Sequence, residues 1–366
     1  MTPPPPRVQP SRLISGTDAP GVKVLLVGTG AHPIPPTGYG AVERILFEYA
    51  QALTWSGQSV RIVNEVHGAG ALAEYRFSLR LPSLLRREEY DVVHASTPVV
   101  ANRLASAGVP YVYTSHSRHW FWRESWRHRW GFWLERRAVR HAAAVVALTP
   151  DVEAAMRATL PSTFSRPLRV IPSGVNIDQY GPSWDLRNGH RALGVGLVLP
   201  LKRWETASAG LKGTGVTLRI AGPVPDAAYA ARVRSAGDDV ELLGEVDEAR
   251  LRQLYAESDL LIHPSQVEVL PRAVLEAMAS GLPVVGSSVI GSLFPGGHGG
   301  LTAAPGVSGE ELIQFVHAAV EQLSGNGALR RKMGEAGRML AEETYSWDRV
   351  VAAHLELYGE AGRAAR

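Results

Sequence analysis

His263-Pro264-Ser265-Gln266-Val267-Glu268-Val269-Leu270-Pro271-Arg272-Ala273-Val274-Leu275-Glu276-Ala277-Met278-Ala279-Ser280-Gly281-Leu282-Pro283-Val284-Val285 reads as the end of one strand, a turn carrying a carboxylate, a helix and the start of a second strand. Pro271 sits where a helix should begin, because the first helical position needs no N–H. The helix is expected over Pro271–Ala279 and the following strand over Pro283–Gly286. A strand, a helix and another apolar strand in succession are the unit of a parallel α/β sheet.

Working outward, the same grammar recurs. Upstream lie strands Ala192–Val198, Val216–Ala221, Val240–Leu243 and Leu260–His263, with helices near Glu205–Leu211 and over Glu248–Glu257. Earlier still, Val22–Val27 is a short β-branched run ending in Gly28-Thr29-Gly30, followed by helical spacing of apolar residues from Ala41 to Leu53 and a strand at Ser59–Val63. Runs beginning at Asp91, Tyr111, Ala144 and Leu168 continue the series until Pro172-Ser173-Gly174 breaks it.

A chain of 366 residues exceeds what one hydrophobic core usually organises. Two doubly wound sheets in tandem are therefore expected, with a ligand cleft facing the carboxyl ends of their strands. The expected division is a Pro-rich tail over 1–20, a first lobe over 21–175, a second lobe over 176–345 and a terminal helix over 346–366 packing back on the first lobe.

Charge divides unevenly between the halves. Residues 1–175 hold 20 Lys+Arg against 12 Asp+Glu, whereas 176–366 hold 18 against 23. A basic first lobe suggests an anionic contact, such as a lipid surface or a phosphorylated acceptor. Nucleic acid is not expected, because no reader motif accompanies the charge. The absence of cysteine excludes disulfides and thiol chemistry. No apolar run approaches the roughly 20 residues that span a bilayer, so the expected location is the cytoplasm, with peripheral contact at the inner face of the membrane left open.

The chemistry concentrates on the opening stretch. A helix starting at the loop would turn its free N–H groups and positive dipole end toward the cleft, a ready site for a diphosphate. Glu276 lies five residues inside that helix, about 7.5 Å further along its axis. One extended ligand would therefore meet Glu268 at its transferring sugar and Glu276 at its ribose, whose vicinal diol suits a carboxylate's two oxygens. For an isolated pair of this spacing, a helix cap and a solvated helix residue are the better explanation of the two glutamates.

The surrounding string resembles the signature of family 4 glycosyltransferases, a resemblance that runs from Val22 to Tyr358. It includes Pro36-Thr37-Gly38-Tyr39-Gly40, Asp91-Val92-Val93-His94, Thr114-Ser115-His116, Ile171-Pro172-Ser173-Gly174 and Ile220-Ala221-Gly222. The resemblance implies the GT-B fold and transfer of a sugar from a nucleotide diphosphate to an acceptor with retention at the anomeric carbon. It places Glu268, His116 and Lys202 at the reacting centre. It places donor contacts at Glu276, Gly38, Gly40, Lys202, Arg203, Val269, Leu270 and Gly222.

The resemblance also implies that Lys202 and the helix start balance the leaving diphosphate, with no metal or other cofactor. One departure stands out: the family usually has an arginine just after the glycine at 196, where this sequence has Leu197. Arg203 or another nearby base is the expected substitute. Rival readings are an epimerase acting on the same donors, a binding protein without turnover and, more remotely, a nicotinamide-dependent dehydrogenase; Gly28-Thr29-Gly30 lacks the third glycine that the last requires.

Between His116 and Ala142 lie five of the nine tryptophans, at 120, 122, 126, 130 and 133, among seven arginines. Arg118, Trp120 and Trp122, close behind His116, are expected to wall the acceptor side. From Trp133 to Val139 the expectation is an amphipathic helix packed on the sheet with arginines outward.

Overall fold

The computed structural model describes residues 21–36, 40–66, 68, 70–121, 126–160 and 166–364. Gly38 and Trp122, both named above, lie outside the described residues, as does the tail over 1–20.

Two six-stranded parallel sheets form the two lobes. The first contains β1 (Lys23–Val27), β2 (Ser59–Val63), β3 (Val92–Ala95), β4 (Val112–Ser115), β5 (Ala144–Ala147) and β6 (Leu168–Val170), in the order β2-β1-β3-β4-β5-β6. The second contains β7 (Arg191–Val195), β8 (Thr217–Ala221), β9 (Val240–Gly244), β10 (Leu260–His263), β11 (Val284–Gly286) and β12 (Gly300–Thr302), in the order β12-β11-β10-β7-β8-β9. Strand direction of travel reverses between β1 and β3 in one sheet and between β7 and β10 in the other. At such switch points the loops leave the sheet on opposite faces and open a crevice.

Period-two alternation sends β1 side chains into two different cores. Leu25 and Val27 join Phe77, Val100, Val139 and Met156 on one face. Val24 and Leu26 join Tyr49, Leu53, Val350 and Tyr358 on the other. Helices Gly70–Leu85, Pro98–Ser106 and Trp126–His141 thus form one layer, and Ala41–Trp55 and Trp347–Ala364 the opposite one. The final helix belongs to the core of the first lobe although it follows the second in sequence.

The two chain crossings between lobes touch. Val175 pairs with Ser346, and the Val175 amide donates to the Tyr345 carbonyl at 2.7 Å. Gly174 is required there, because a Cβ would lie 2.3 Å from the Trp347 ring. His94 then fixes the helix over 347–364. Its Nδ1 lies 2.6 Å from the Tyr358 hydroxyl and its Nε2 2.7 Å from Thr114 Oγ1, while the Tyr358 and Tyr49 hydroxyls meet at 2.8 Å.

Most elements fall within a residue or two of the expected positions. β12 was not expected, and the strand read as Ala192–Val198 ends at Val195, where Gly196 takes a positive φ.

Candidate active site

At the switch point of the second sheet, β7 ends at Val195 just before Gly196, and β10 ends at His263. The loop after β7 turns through Pro200–Lys202 into the helix Trp204–Leu211. The turn is tight enough that Arg203 adopts φ 52°, the left-handed region that costs an L-residue about 1–2 kcal/mol. Gly196 takes φ 145°, a conformation that L-residues rarely adopt, and Lys202 lies back across it, its Cε in ordinary contact range of a Cβ there at 3.5 Å. Gly222, at the end of β8, approaches the Gly196 carbonyl so closely that a Cβ would stand 2.2 Å from it. These glycines bring the two loops together.

The Lys202 ammonium, thus folded, forms an ion pair with Glu268 Oε1. His263 Nε2 donates to the same oxygen from 3.1 Å. Burial works against the Glu268 charge, but the His263 hydrogen bond and the Lys202 ammonium outweigh it and hold the carboxyl at about 2. Burial pushes His263 below the usual imidazole range. At neutral pH the cluster is therefore a carboxylate between an ammonium and a neutral imidazole. A charge-assisted contact of this kind fixes both side chains at the mouth of the strands.

Pro271 is the cap of the next helix, which spans Arg272–Ala279, one residue later than expected. The Val274 amide donates to the Pro271 carbonyl at 3.0 Å. Val269 packs against the core of the first lobe and Leu270 against that of the second, so the turn after Glu268 spans the cleft.

Glu276 is buried on this helix. Tyr255 donates its hydroxyl to Oε2 at 2.9 Å, and Arg272 donates Nε to Oε1 at 3.1 Å. Arg272 also reaches the other lobe, where its two terminal nitrogens meet the two oxygens of Glu48 at 2.9 Å each. Burial disfavours its charge, yet the carboxylates of Glu276 and Glu48 raise its pKa above the ordinary arginine value. One turn earlier on the Glu48 helix, Arg44 meets Glu248 of the second lobe at 3.1 Å. The lobes are thus held by two ion pairs of opposite polarity.

A cavity of 280 Å³ between the lobes is lined by Arg44, Glu48, Gln51, Trp55, Asn176, Gln179 and Glu248 among others. It includes neither Glu268 nor Lys202. The candidate centre is defined by strand ends and charge rather than by this cavity.

On the first lobe, Gly40 caps the helix Ala41–Trp55, and a Cβ there would crowd Pro36 at 2.9 Å. His116 follows β4. Burial, and then the neighbouring His354, push its imidazole down to about 4, so it is neutral at pH 7. Arg118 and Trp120 form a short turn.

Trp120 does not wall the cleft as expected. It is 3% exposed, packs in the first-lobe core and donates its indole N–H to Ser115 Oγ at 2.9 Å. A second correction concerns Trp133, expected in the part of its helix that packs on the sheet: it is half exposed, and its ring stacks on that of Trp130 at the surface.

Sequence reasoning did not assign roles to His263, Tyr255, Arg272 or Glu48. His263 and Arg272 stand inside the quoted stretch, and their partners were the missing information.

Two facing doubly wound lobes with a lysine–carboxylate pair at the switch point define a GT-B enzyme class, and relatives of known type bear this out. Residues 17–179 match the family model for Glycosyltransferase Family 4, and 199–322 that for Glycosyl transferases group 1. An alpha-maltose-1-phosphate synthase of Mycolicibacterium smegmatis is 26% identical over 74% of this chain and 79% of its own. A D-inositol 3-phosphate glycosyltransferase of Actinosynnema mirum is 29% identical over 62% of this chain and 60% of its own.

Among solved structures, a sucrose-phosphate synthase from Thermosynechococcus elongatus superposes with a TM-score of 0.78 at 19% identity, covering 94% of this chain and all of that one. Anabaena HepE, solved with UDP and glucose, gives 0.71 at 18% identity, covering 92% and 99%. The chain belongs to the family 4-like, group 1 glycosyltransferases.

Proposed function

We propose that this glycosyltransferase takes its sugar from a nucleoside diphosphate and transfers it with retention at the anomeric carbon. The observation that carries the reading is the Lys202–Glu268–His263 cluster at the carboxyl ends of β7 and β10. When a glycosidic bond to a diphosphate breaks, negative charge grows on the leaving phosphate, and a fixed ammonium beside it lowers the barrier. Lys202 supplies that ammonium, Arg203 supports it in place of the family arginine absent at Leu197, and the start of the helix behind Pro271 adds its positive dipole end. Phosphate charge is met in this way without a metal.

Glu268 faces the transferring sugar, and Glu276 accepts from the ribose hydroxyls once Arg272 yields Oε1. Val269, Leu270, Gly222 and Gly40 line the donor by close backbone approach. His116, neutral at pH 7, hydrogen-bonds the sugar from the first lobe and does not act as a cation. The acceptor enters from the first-lobe side. Closure of the lobes excludes water that would otherwise hydrolyse the donor.

The test begins with a thermal-shift screen of UDP-, GDP-, ADP- and dTDP-sugars, since a ligand of the native state raises the midpoint. The stabilising donor is then incubated without acceptor, and the released sugar is read at once by proton NMR. Retention requires the donor's anomeric configuration in the first-formed product. The opposite anomer, or a rearranged sugar nucleotide, defeats the proposal.

A further inference from the structure

The helix Trp126–His141 is inverted with respect to ordinary packing. Its aromatic residues Trp126, Trp130 and Trp133 recur at helical spacing on one face and are 73%, 57% and 49% exposed. The opposite face packs Phe132 against the core and buries Ala138, Val139 and one acid, Glu135, which accepts from the Tyr113 and Ser115 hydroxyls at 2.9 Å each. Glu135 is the helix's only acidic residue, so the outward face carries none, and Arg129 and Arg140 are exposed along its border.

The same layer repeats the device. On helix Gly70–Leu85, Leu72, Tyr75 and Leu79 are exposed at the same kind of spacing, beside exposed Arg76 and Arg80. Both helices flank Pro98–Ser106 and contribute their inner residues to a single core. Their two outer stripes therefore point away from the sheet on the same side of the lobe. Exposed apolar residues gathered on one side of a lobe in this way mark an interaction site.

We propose that this helix layer docks on an anionic lipid surface. Tryptophan favours the boundary where one edge of the ring is apolar and the other wet. Arginines around it meet lipid phosphates, and a lobe carrying 20 Lys+Arg against 12 Asp+Glu in its half of the chain is drawn toward negative charge. Helix Trp126–His141 follows β4 and the turn Arg118–Trp120, so its Trp126 end lies on the cleft side of the sheet. An acceptor held in that surface would be presented to the cleft. Among the described residues no helix is long and apolar enough to cross a membrane, so the contact is peripheral.

The test needs no sugar nucleotide and stands apart from the transfer reading. The full chain is sedimented with vesicles of equimolar phosphatidylglycerol and phosphatidylcholine, and with phosphatidylcholine alone, while tryptophan emission is recorded. Binding to the anionic vesicles, a blue shift and weakening by salt are expected. W126A/W130A/W133A should lower partitioning about tenfold or more without changing urea unfolding. Should that variant unfold, R129Q/R140Q, which leaves the stripe intact, should weaken anionic binding alone. The proposal is overturned by no association at low salt, by equal partitioning of the variants, or by a tryptophan shift produced only by self-association or by soluble oligosaccharide.

Discussion

Arg272 and Glu48 join the lobes through two parallel N–H···O bonds of 2.9 Å, although 224 residues separate them in the chain. The same guanidinium holds Glu276, so one arginine links lobe closure to the carboxylate assigned to the donor ribose. Both partners are less than a fifth exposed, which makes a broken pair costly. Glu48→Gln is expected to weaken closure by about 2 kcal/mol or more. Small-angle scattering should show a larger radius of gyration, and the donor KM should rise about tenfold. Unchanged scattering would mean that the clasp does not hold the lobes.

Lys202 and Glu268 should behave differently from that clasp, because they are assigned to the chemical step. Lys202→Ala is expected to lower kcat about 100-fold or more, in the range seen on removing one preorganised charge stabiliser. Glu268→Gln keeps the shape, retains an oxygen for the His263 N–H and loses the charge; it should also act on kcat. Circular dichroism of both variants should match the parent. Near-parental turnover in the two together would remove this cluster from the reacting centre.

What the sequence disclosed follows from the range of the forces involved. The strand at Val24–Val27 was readable because a parallel strand buried on both faces must be continuously apolar. Lys202 and Glu268 were readable one by one through motif resemblance, but not as a pair. Arg272 with Glu48 and His263 with Glu268 depend on how loops from separate strands converge.

β12 was missed because Gly300–Thr302 is too short to show a period. Trp133 was misread for a clearer reason. Apolarity argued for burial, whereas the helix buries its other face, where Gly131 lies against His119 and Glu135 finds two hydroxyls.

Tyr358 provides a test of the helix crossing. Its hydroxyl lies between His94 Nδ1 at 2.6 Å and the Tyr49 hydroxyl at 2.8 Å, all buried. Tyr358→Phe keeps the ring and strands two polar groups away from water. Each such group costs about 1–3 kcal/mol, so a loss of about 2–4 kcal/mol is expected in urea unfolding. Amide exchange should quicken in the helix over 347–364 before the second-lobe sheet responds. Equal stability would show that water replaces the hydroxyl.

Glu135 predicts how stability varies with pH. Burial raises its carboxyl to about 7, against the hydrogen bonds of Tyr113, Ser115 and Ser117, from an ordinary value of 4.5. Between those values the folded state holds a proton that the unfolded state has released. Its stabilisation is therefore full below pH 4.5 and lost as pH rises through 7, about 3 kcal/mol in all.

Two histidines act with the opposite sign. His116 and His354 are pushed down to about 4 by burial, so their contribution is full above 6.5 and lost as pH falls toward 4. The two effects oppose each other between 4.5 and 6.5, which puts greatest stability near neutrality. Glu135→Gln removes only the first. Urea unfolding at pH 6 and at pH 8 should show parent and variant drawing apart, with the variant losing less on the alkaline side. Parallel pH profiles would mean that Glu135 stays ionised in the folded chain.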